Sequence, residues 1–186
     1  MALPNPFPDE LDVHVVGMRR RHLRGVLRIE GQVAPRPWTT SLFLSELALR
    51  SSRAYFVARI GRDVVGYGGV MMTVDDGHVT TLSVDPRWQR HKIGTRLLLA
   101  LAGEAIARGA TGLTLEVRLS NLGAQALYRR FGFEPVGVRK GYYVETKEDA
   151  LIMWAHKVDQ PGYAALLAAL ERGVPGSTIV ESPRAW

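Results

Sequence analysis

The chain has 186 residues, 46% of them hydrophobic and 23% charged. That is enough for one globular domain with a short extension, and it is not a disordered composition. The absence of cysteine excludes a disulfide framework and a thiolate nucleophile. The five histidines (His14, His22, His78, His91, His156) are scattered without metal-ligand spacing, so no metal is expected. A net charge of +6 favours anionic partners: a phosphorylated cofactor, a ribosome surface or nucleic acid.

No apolar run is long enough for a membrane span, and the Pro-rich start lacks the charged and apolar regions of a signal peptide. The expectation is a cytoplasmic protein without a membrane partner. Residues 1–11, with Pro4, Pro6 and Pro8, read as an extended arm. Asp12 to Met18 reads as a first strand. Arg19 to Glu30 has Leu23, Val26 and Leu27 at helical spacing beneath a basic face of Arg19, Arg20, Arg21, Arg24 and Arg28. That face reads as solvated, with RNA contact as the alternative. Pro35 and Pro37 break the chain before a helix over Thr39 to Arg50. Ala54 to Ile60, Val64 to Val74 and His78 to Val84 form an antiparallel meander. Gly66, Gly68 and Gly69 in its middle strand signal a bulge or a close backbone approach.

Asp85-Pro86 ends that strand. A basic loop follows, and then a helix with Ile93, Leu97, Leu101 and Ala105 on one face, ending at Arg108-Gly109. Strand, basic loop and helix N-terminus together make a pyrophosphate site, because free N–H groups and the positive dipole end face the anion. Thr111 to Val117 alternates as a buried strand, Asn121 caps a short helix ending at Phe131, and Phe133 to Val144 and Glu148 to Val158 are two more strands. Asp159-Gln160-Pro161-Gly162 ends the main domain (12–158). The extension 159–186 holds an Ala/Leu-rich helix, Tyr163 to Arg172, and then looks loose. The order of elements gives an α/β (α+β) fold, a mixed sheet with helices on both faces.

Val84-Asp85-Pro86 and Gln89-Arg90-His91-Lys92-Ile93-Gly94 resemble the acetyl-CoA loop of the GNAT N-acetyltransferase superfamily, Q/R-x-x-G-x-G/A. Lys92 stands where the family usually has its first glycine. A lysine there meets a cost of roughly 1 kcal/mol if φ is positive, and adds a cation near the phosphates. Leu115-Glu116-Val117-Arg118, Ser120-Asn121, Ala126-Leu127-Tyr128, Gly132-Phe133, Tyr142-Tyr143 and Pro37-Trp38-Thr39 are similar to the RimI-type branch, the ribosomal-protein-alanine N-acetyltransferases. The resemblance spans residues 13–158 and implies a GNAT-like, mostly antiparallel sheet.

It also implies acetyl-CoA as cosubstrate and the N-terminal peptide of a ribosomal protein as acceptor, by direct transfer in a ternary complex. Amine acetylation needs a base for the amine's proton and an acid for the departing thiolate. The resemblance puts Glu116 and Tyr128 in those roles. Leu82, Ser83 and Val84 would offer backbone groups to the pantetheine arm as an added strand does. Arg90, His91, Lys92, Ile93, Gly94 and Thr95 would hold the pyrophosphate, with Asn121 near the cofactor as well as capping its helix. Trp38, Tyr142, Tyr143 and, more weakly, Glu30 are candidates for the acceptor peptide. The alternatives are lysine or small-amine acetylation on the same fold, and a non-catalytic ribosome- or RNA-binding module.

Overall fold

The computed structural model describes residues 10–183. The expected N-terminal arm therefore lies outside the described residues, apart from Glu10 and Leu11. In chain order the elements are β1 (Leu11–Gly17), α1 (Leu23–Val33), α2 (Thr40–Ala48), β2 (Arg53–Ile60), β3 (Asp63–Met72), β4 (Asp76–Val84) and α3 (Ile93–Ala107). Then come β5 (Gly112–Arg118), α4 (Leu122–Arg130), β6 (Glu134–Tyr143), β7 (Glu148–His156), α5 (Pro161–Arg172) and β8 (Gly176–Glu181). They build one sheet in the order β6-β7-β5-β4-β3-β2-β1-β8. It is antiparallel except where β4 meets β5 and β1 meets β8.

Alternation along the strands splits the apolar residues into two cores. One joins α3 to Val13, Phe56, Leu113, Leu115 and Phe131; the other places Val26, Ile29 and Phe43 of α1 and α2 on Val57 and Tyr67. The close approach signalled by the β3 glycines is made by α3. A Cβ on Gly66 would stand 3.0 Å from both Ile93 and Leu97 side chains, and one on Gly68 2.9 Å from Leu101. The helix therefore lies directly on β3 backbone, and the ladder shifts register between Gly69 and Val70.

Two expectations need correction. The first helix does not begin at Arg19: residues 20–22 form a 3-10 turn, and α1 starts at Leu23. The turn buries His22, whose Nδ1 accepts the Arg19 N–H at 3.1 Å. Burial, then the charges of Arg21, Arg59 and Arg19, lower its pKa from 6.5 to about 4. The unfolded chain therefore binds the proton more readily, and stability is full above pH 6.5 and falls as pH drops towards 4, by roughly 3 kcal/mol at most. Urea unfolding of the parent at pH 7 and pH 5 is expected to show about 2 kcal/mol of that loss, and His22→Gln to flatten it.

The second correction concerns the tail. Residues 173–183 are not loose, because Gly176–Glu181 pairs in parallel with β1, from Leu11↔Gly176 to Val16↔Glu181. Arg96 of α3 anchors it. This guanidinium, 1% exposed, donates from Nη1 to the Ser177 carbonyl (2.7 Å) and the Thr178 hydroxyl, and from Nη2 to the Pro175 carbonyl. Its Nε is fully occluded and has no hydrogen-bond partner among the described residues.

Candidate active site

β4 and β5 pair over three positions only, Asp76↔Gly112, Gly77↔Leu113 and His78↔Thr114. Beyond them β4 runs on to Val84 and β5 to Arg118 with no pairing between them, so the two strands splay into a wedge. Leu82, Ser83 and Val84 pair with Gly68, Tyr67 and Gly66 of β3 on one edge. Their other edge has no ladder partner and faces the wedge, the arrangement that accepts an extended amide-bearing chain.

α3 starts at the end of this strand. Arg90 and Lys92 both hold positive φ, 70° and 60°. Lys92 is the left-handed N-cap, its carbonyl accepting the Arg96 N–H at 3.0 Å, and no side chain caps the first turn. The lysine thus adopts the conformation for which glycine is preferred, at a cost of about 1 kcal/mol. Ile93 and Thr95 have buried side chains, so only their backbone N–H groups are presented at the start of the helix. A Cβ on Gly94 would stand 3.3 Å from Leu127, so α4 packs closely on this turn. The His91 ring lies 2.8 Å from the Gln89 carbonyl and edge-on to Trp88.

Asp85 fixes the strand end from which the loop leaves. Its buried carboxylate accepts Arg28 Nη1 (2.6 Å), Arg87 Nη2 (2.9 Å) and the Arg87 N–H (3.0 Å), while Arg28 Nη2 reaches the Val64 carbonyl. Arg28 therefore belongs to an internal ion pair rather than to a wholly solvated basic face. The Arg87 and Arg28 hydrogen bonds outweigh burial and hold the Asp85 carboxyl well below the usual carboxylate range. Its contribution to stability is thus complete above that range and lost only as pH falls through the lowered pKa. Asp85→Asn is expected to cost about 3 kcal/mol in urea unfolding at pH 7, near the lower end for a broken buried pair because Arg87 can relax into water.

At the open end of the wedge, β5 alternates as expected. Leu113, Leu115 and Val117 enter the α3-side core, and Thr114, Glu116 and Arg118 take the opposite face. The Glu116 side chain is 10% exposed, so it is not an outward surface residue. His78 Nε2 lies 3.0 Å from its Oε2 and Arg139 Nη1 3.2 Å from its Oε1. A carboxylate so held keeps one position, and its remaining lone pairs can accept a proton.

Arg118, two residues on, organises the β6–β7 turn. It bonds Glu145 (2.6 Å), Thr146 (2.6 Å) and Glu148 (3.2 Å), and its guanidinium stacks 3.8 Å over Tyr143. Glu148 also accepts the Ser120 N–H at 2.8 Å. The Tyr143 hydroxyl donates to the Glu116 carbonyl at 3.4 Å, and Tyr142 packs edge-on against Tyr143. Burial pushes the Tyr143 phenol up to about 12 despite the opposing Arg118 charge. A left-handed Gly141, whose N–H donates to Asp149, breaks the β6 register between Arg139 and Tyr143 and sets the direction of both tyrosines.

Tyr128 lies on the inner face of α4, 7% exposed, its ring 5.8 Å from Phe133. Its hydroxyl makes no hydrogen bond among the described residues. Burial, with a smaller contribution from Tyr143, raises its pKa well above the usual phenol range. Asn121 caps α4, its Oδ1 accepting the Ala124 N–H at 3.1 Å. Trp38, on the α1–α2 loop, donates its backbone N–H to Glu30 (3.0 Å), and its ring packs 5.2 Å from Phe43. Glu30 is buried and also accepts the Tyr67 hydroxyl, so it braces the α1–α2 loop from inside and is not open to a peptide. His78, Arg118 and Arg139 are the site residues that motif reading passed over. The signal was present for Arg118, which shares a strand face with Glu116.

A sheet splayed between β4 and β5, with a left-handed loop opening α3, defines a class, and sequence comparison agrees with it. The family model "Acetyltransferase (GNAT) family" matches residues 23–133, and the chain belongs to that family. Among its relatives is the N-alpha-acetyltransferase RimI of Mycobacterium tuberculosis, 36% identical over 151 residues, covering 78% of this chain and 93% of that one. The [ribosomal protein bS18]-alanine N-acetyltransferase of Escherichia coli is 33% identical over 133 residues, covering 70% and 88%. The crystal structure of the ribosomal-protein-S18-alanine N-acetyltransferase from Escherichia coli superposes with a TM-score of 0.70 at 29% identity, over 78% of this chain and 94% of that chain.

Proposed function

We propose that this acetyltransferase acts on protein N-terminal α-amino groups with acetyl-CoA as donor, its acceptor being the N-terminal alanine of a small-subunit ribosomal protein. The observation that carries the reading is the Glu116 carboxylate, nearly buried between His78 and Arg139 at the mouth of the β4–β5 wedge. The names and identities of the RimI-type relatives support the same acceptor.

The residues present fit acetyl-CoA. The unpaired edge of Leu82–Val84 suits its amide-bearing arm, and the uncapped first turn of α3 with Arg90, His91 and Lys92 suits its pyrophosphate. Bound there, it supplies an acetyl thioester. Glu116 takes the proton of the incoming amine, directly or through one water. Tyr128 Oη keeps its own proton and offers it to the developing thiolate. Tyr142 and Tyr143 line the approach, with Trp38 on the facing α1–α2 loop; Arg36 of that loop is close enough to Glu145 to act on its charge.

Magnitudes favour an N-terminus over a lysine. An α-amino group with a pKa of about 7.7–8.0 costs about 1 kcal/mol to neutralise at pH 7, and a lysine near 10.4 about 5. A single carboxylate base suits the first. Thiol release with peptides bearing free N-terminal Ala, Ser, Met or Gly, against N-blocked peptides containing lysine, tests this; turnover of blocked lysine peptides alone would overturn it. Lys92→Gly is expected to leave the melting temperature unchanged or higher. It should raise KM for acetyl-CoA about fivefold at low salt and less at high salt, the loss of one exposed cation–phosphate contact.

A further inference from the structure

At the far end of α3, away from the wedge, lies a half-open pocket of about 510 Å³. The fifteen residues of α3 separate its two ends by about 22 Å, with Lys92 at one and Arg108 at the other. Five arginines line the pocket (Arg19, Arg20, Arg50, Arg53 and Arg108) with one acidic residue, Glu46. Glu46 is committed: it accepts from Arg53 Nε at 2.9 Å and from the Tyr55 hydroxyl at 2.7 Å. Arg108 is held by Glu104 at 2.8 Å and donates to the Arg50 carbonyl at 2.9 Å, which fixes it in the wall. Arg20 and Arg50, both exposed, enter no ion pair among the described residues.

The floor has a different character. Met18, Ala54 and Leu47 give it an apolar surface beneath the charged rim. Nothing in acetyl transfer uses these residues, and Arg20 and Arg50, without a carboxylate partner among the described residues, add to a positive potential that an anion would offset. The volume lies within the range of small-ligand sites. A planar guanidinium fork fits phosphate oxygens in pairs, and an apolar floor takes a flat body.

We propose that this cavity is a second ligand site, for a nucleotide-sized phosphorylated molecule, with its phosphates on Arg20 and Arg50 and its base on the floor. A half-open pocket of this volume with an apolar floor favours a discrete small molecule over the backbone of a long nucleic acid, which needs an extended basic surface.

The test is calorimetric titration of ADP and GDP into the full chain saturated with coenzyme A, so that the loop at the other end of α3 is already filled. Expected is binding of one nucleotide per chain in the presence of coenzyme A, weakening as salt rises. The Arg20→Ala, Arg50→Ala double variant should bind at least about tenfold more weakly, the loss of two charge-assisted contacts. Both side chains are exposed, so its melting temperature and its KM for acetyl-CoA should equal the parent's. The proposal is overturned if coenzyme A abolishes nucleotide binding, if the double variant binds as the parent does, or if inorganic phosphate binds as tightly as the nucleotides. Binding of an RNA oligonucleotide without either mononucleotide would overturn it as well.

Discussion

Glu116→Gln is expected to lower kcat for an N-terminal alanine peptide about 100-fold, at the lower end of what a positioned general base contributes. The amide is nearly isosteric and still offers an oxygen to Arg139 or His78, so the β5 face and the splay should survive, and the melting temperature should stay close to the parent's. What it cannot do is take a proton. The residual reaction then depends on amine that is already neutral, and its rate should climb with pH through about 8, the range of an α-amino group. The parent, with its base in place, should show a shallower rise over the same interval. Initial rates by thiol release at pH 6.5, 7.5 and 8.5 separate the two profiles. Equal profiles would remove Glu116 from the chemistry.

Tyr128→Phe is expected to lower kcat about 10- to 100-fold with little change in KM for either substrate. The size follows from the direction of its pKa. Burial raises the Tyr128 phenol above its ordinary range, and a thiol of the coenzyme's kind is a stronger acid than that. Complete proton transfer from phenol to thiolate is therefore uphill within the site. The hydroxyl acts chiefly as a hydrogen-bond donor to developing negative charge, which is worth about 1.5–3 kcal/mol. Its lack of a partner among the described residues leaves that proton available. Because the aromatic body remains packed on Phe133, the loss should appear in kcat rather than in stability. A variant that loses melting temperature but keeps its kcat would make Tyr128 a core residue only.

Much of the frame was legible because local patterns and tertiary packing agree. Ile93, Leu97, Leu101 and Ala105 are all fully buried along α3, and the glycines of β3 mark where that helix comes closest. The conflict at Lys92 was also legible: the loop needs a left-handed residue there, and the lysine adopts it at φ 60°. β8 was not. Its partner β1 lies some 165 residues earlier, and its own apolar residues, Ile179 and Val180, are 48% and 47% exposed, so no alternation betrays a strand. Its anchor, Arg96, sits in a helix where an arginine ordinarily reads as surface.

The surroundings of Glu116 were hidden for a similar reason. His78 and Arg139 come from strands on either side of β5 in the sheet, 38 residues before Glu116 and 23 after it, and only sheet order brings them to one carboxylate. The internal bonds of Trp38 were likewise hidden: its backbone N–H donates to Glu30 and its ring packs on Phe43, which sets the shape of the α1–α2 loop.

The most direct test of N-terminal alanine acetylation is the mass of the acceptor itself. Unacetylated small-subunit protein bS18 with a free N-terminal alanine would be incubated with acetyl-CoA and the parent enzyme, then with Glu116→Gln, and fragmented to place any modification. A gain of one acetyl group on the alanine nitrogen with the parent, and almost none with the variant in the same time, is the predicted result. Acetylation confined to lysine side chains, or equal labelling by parent and variant, would contradict it.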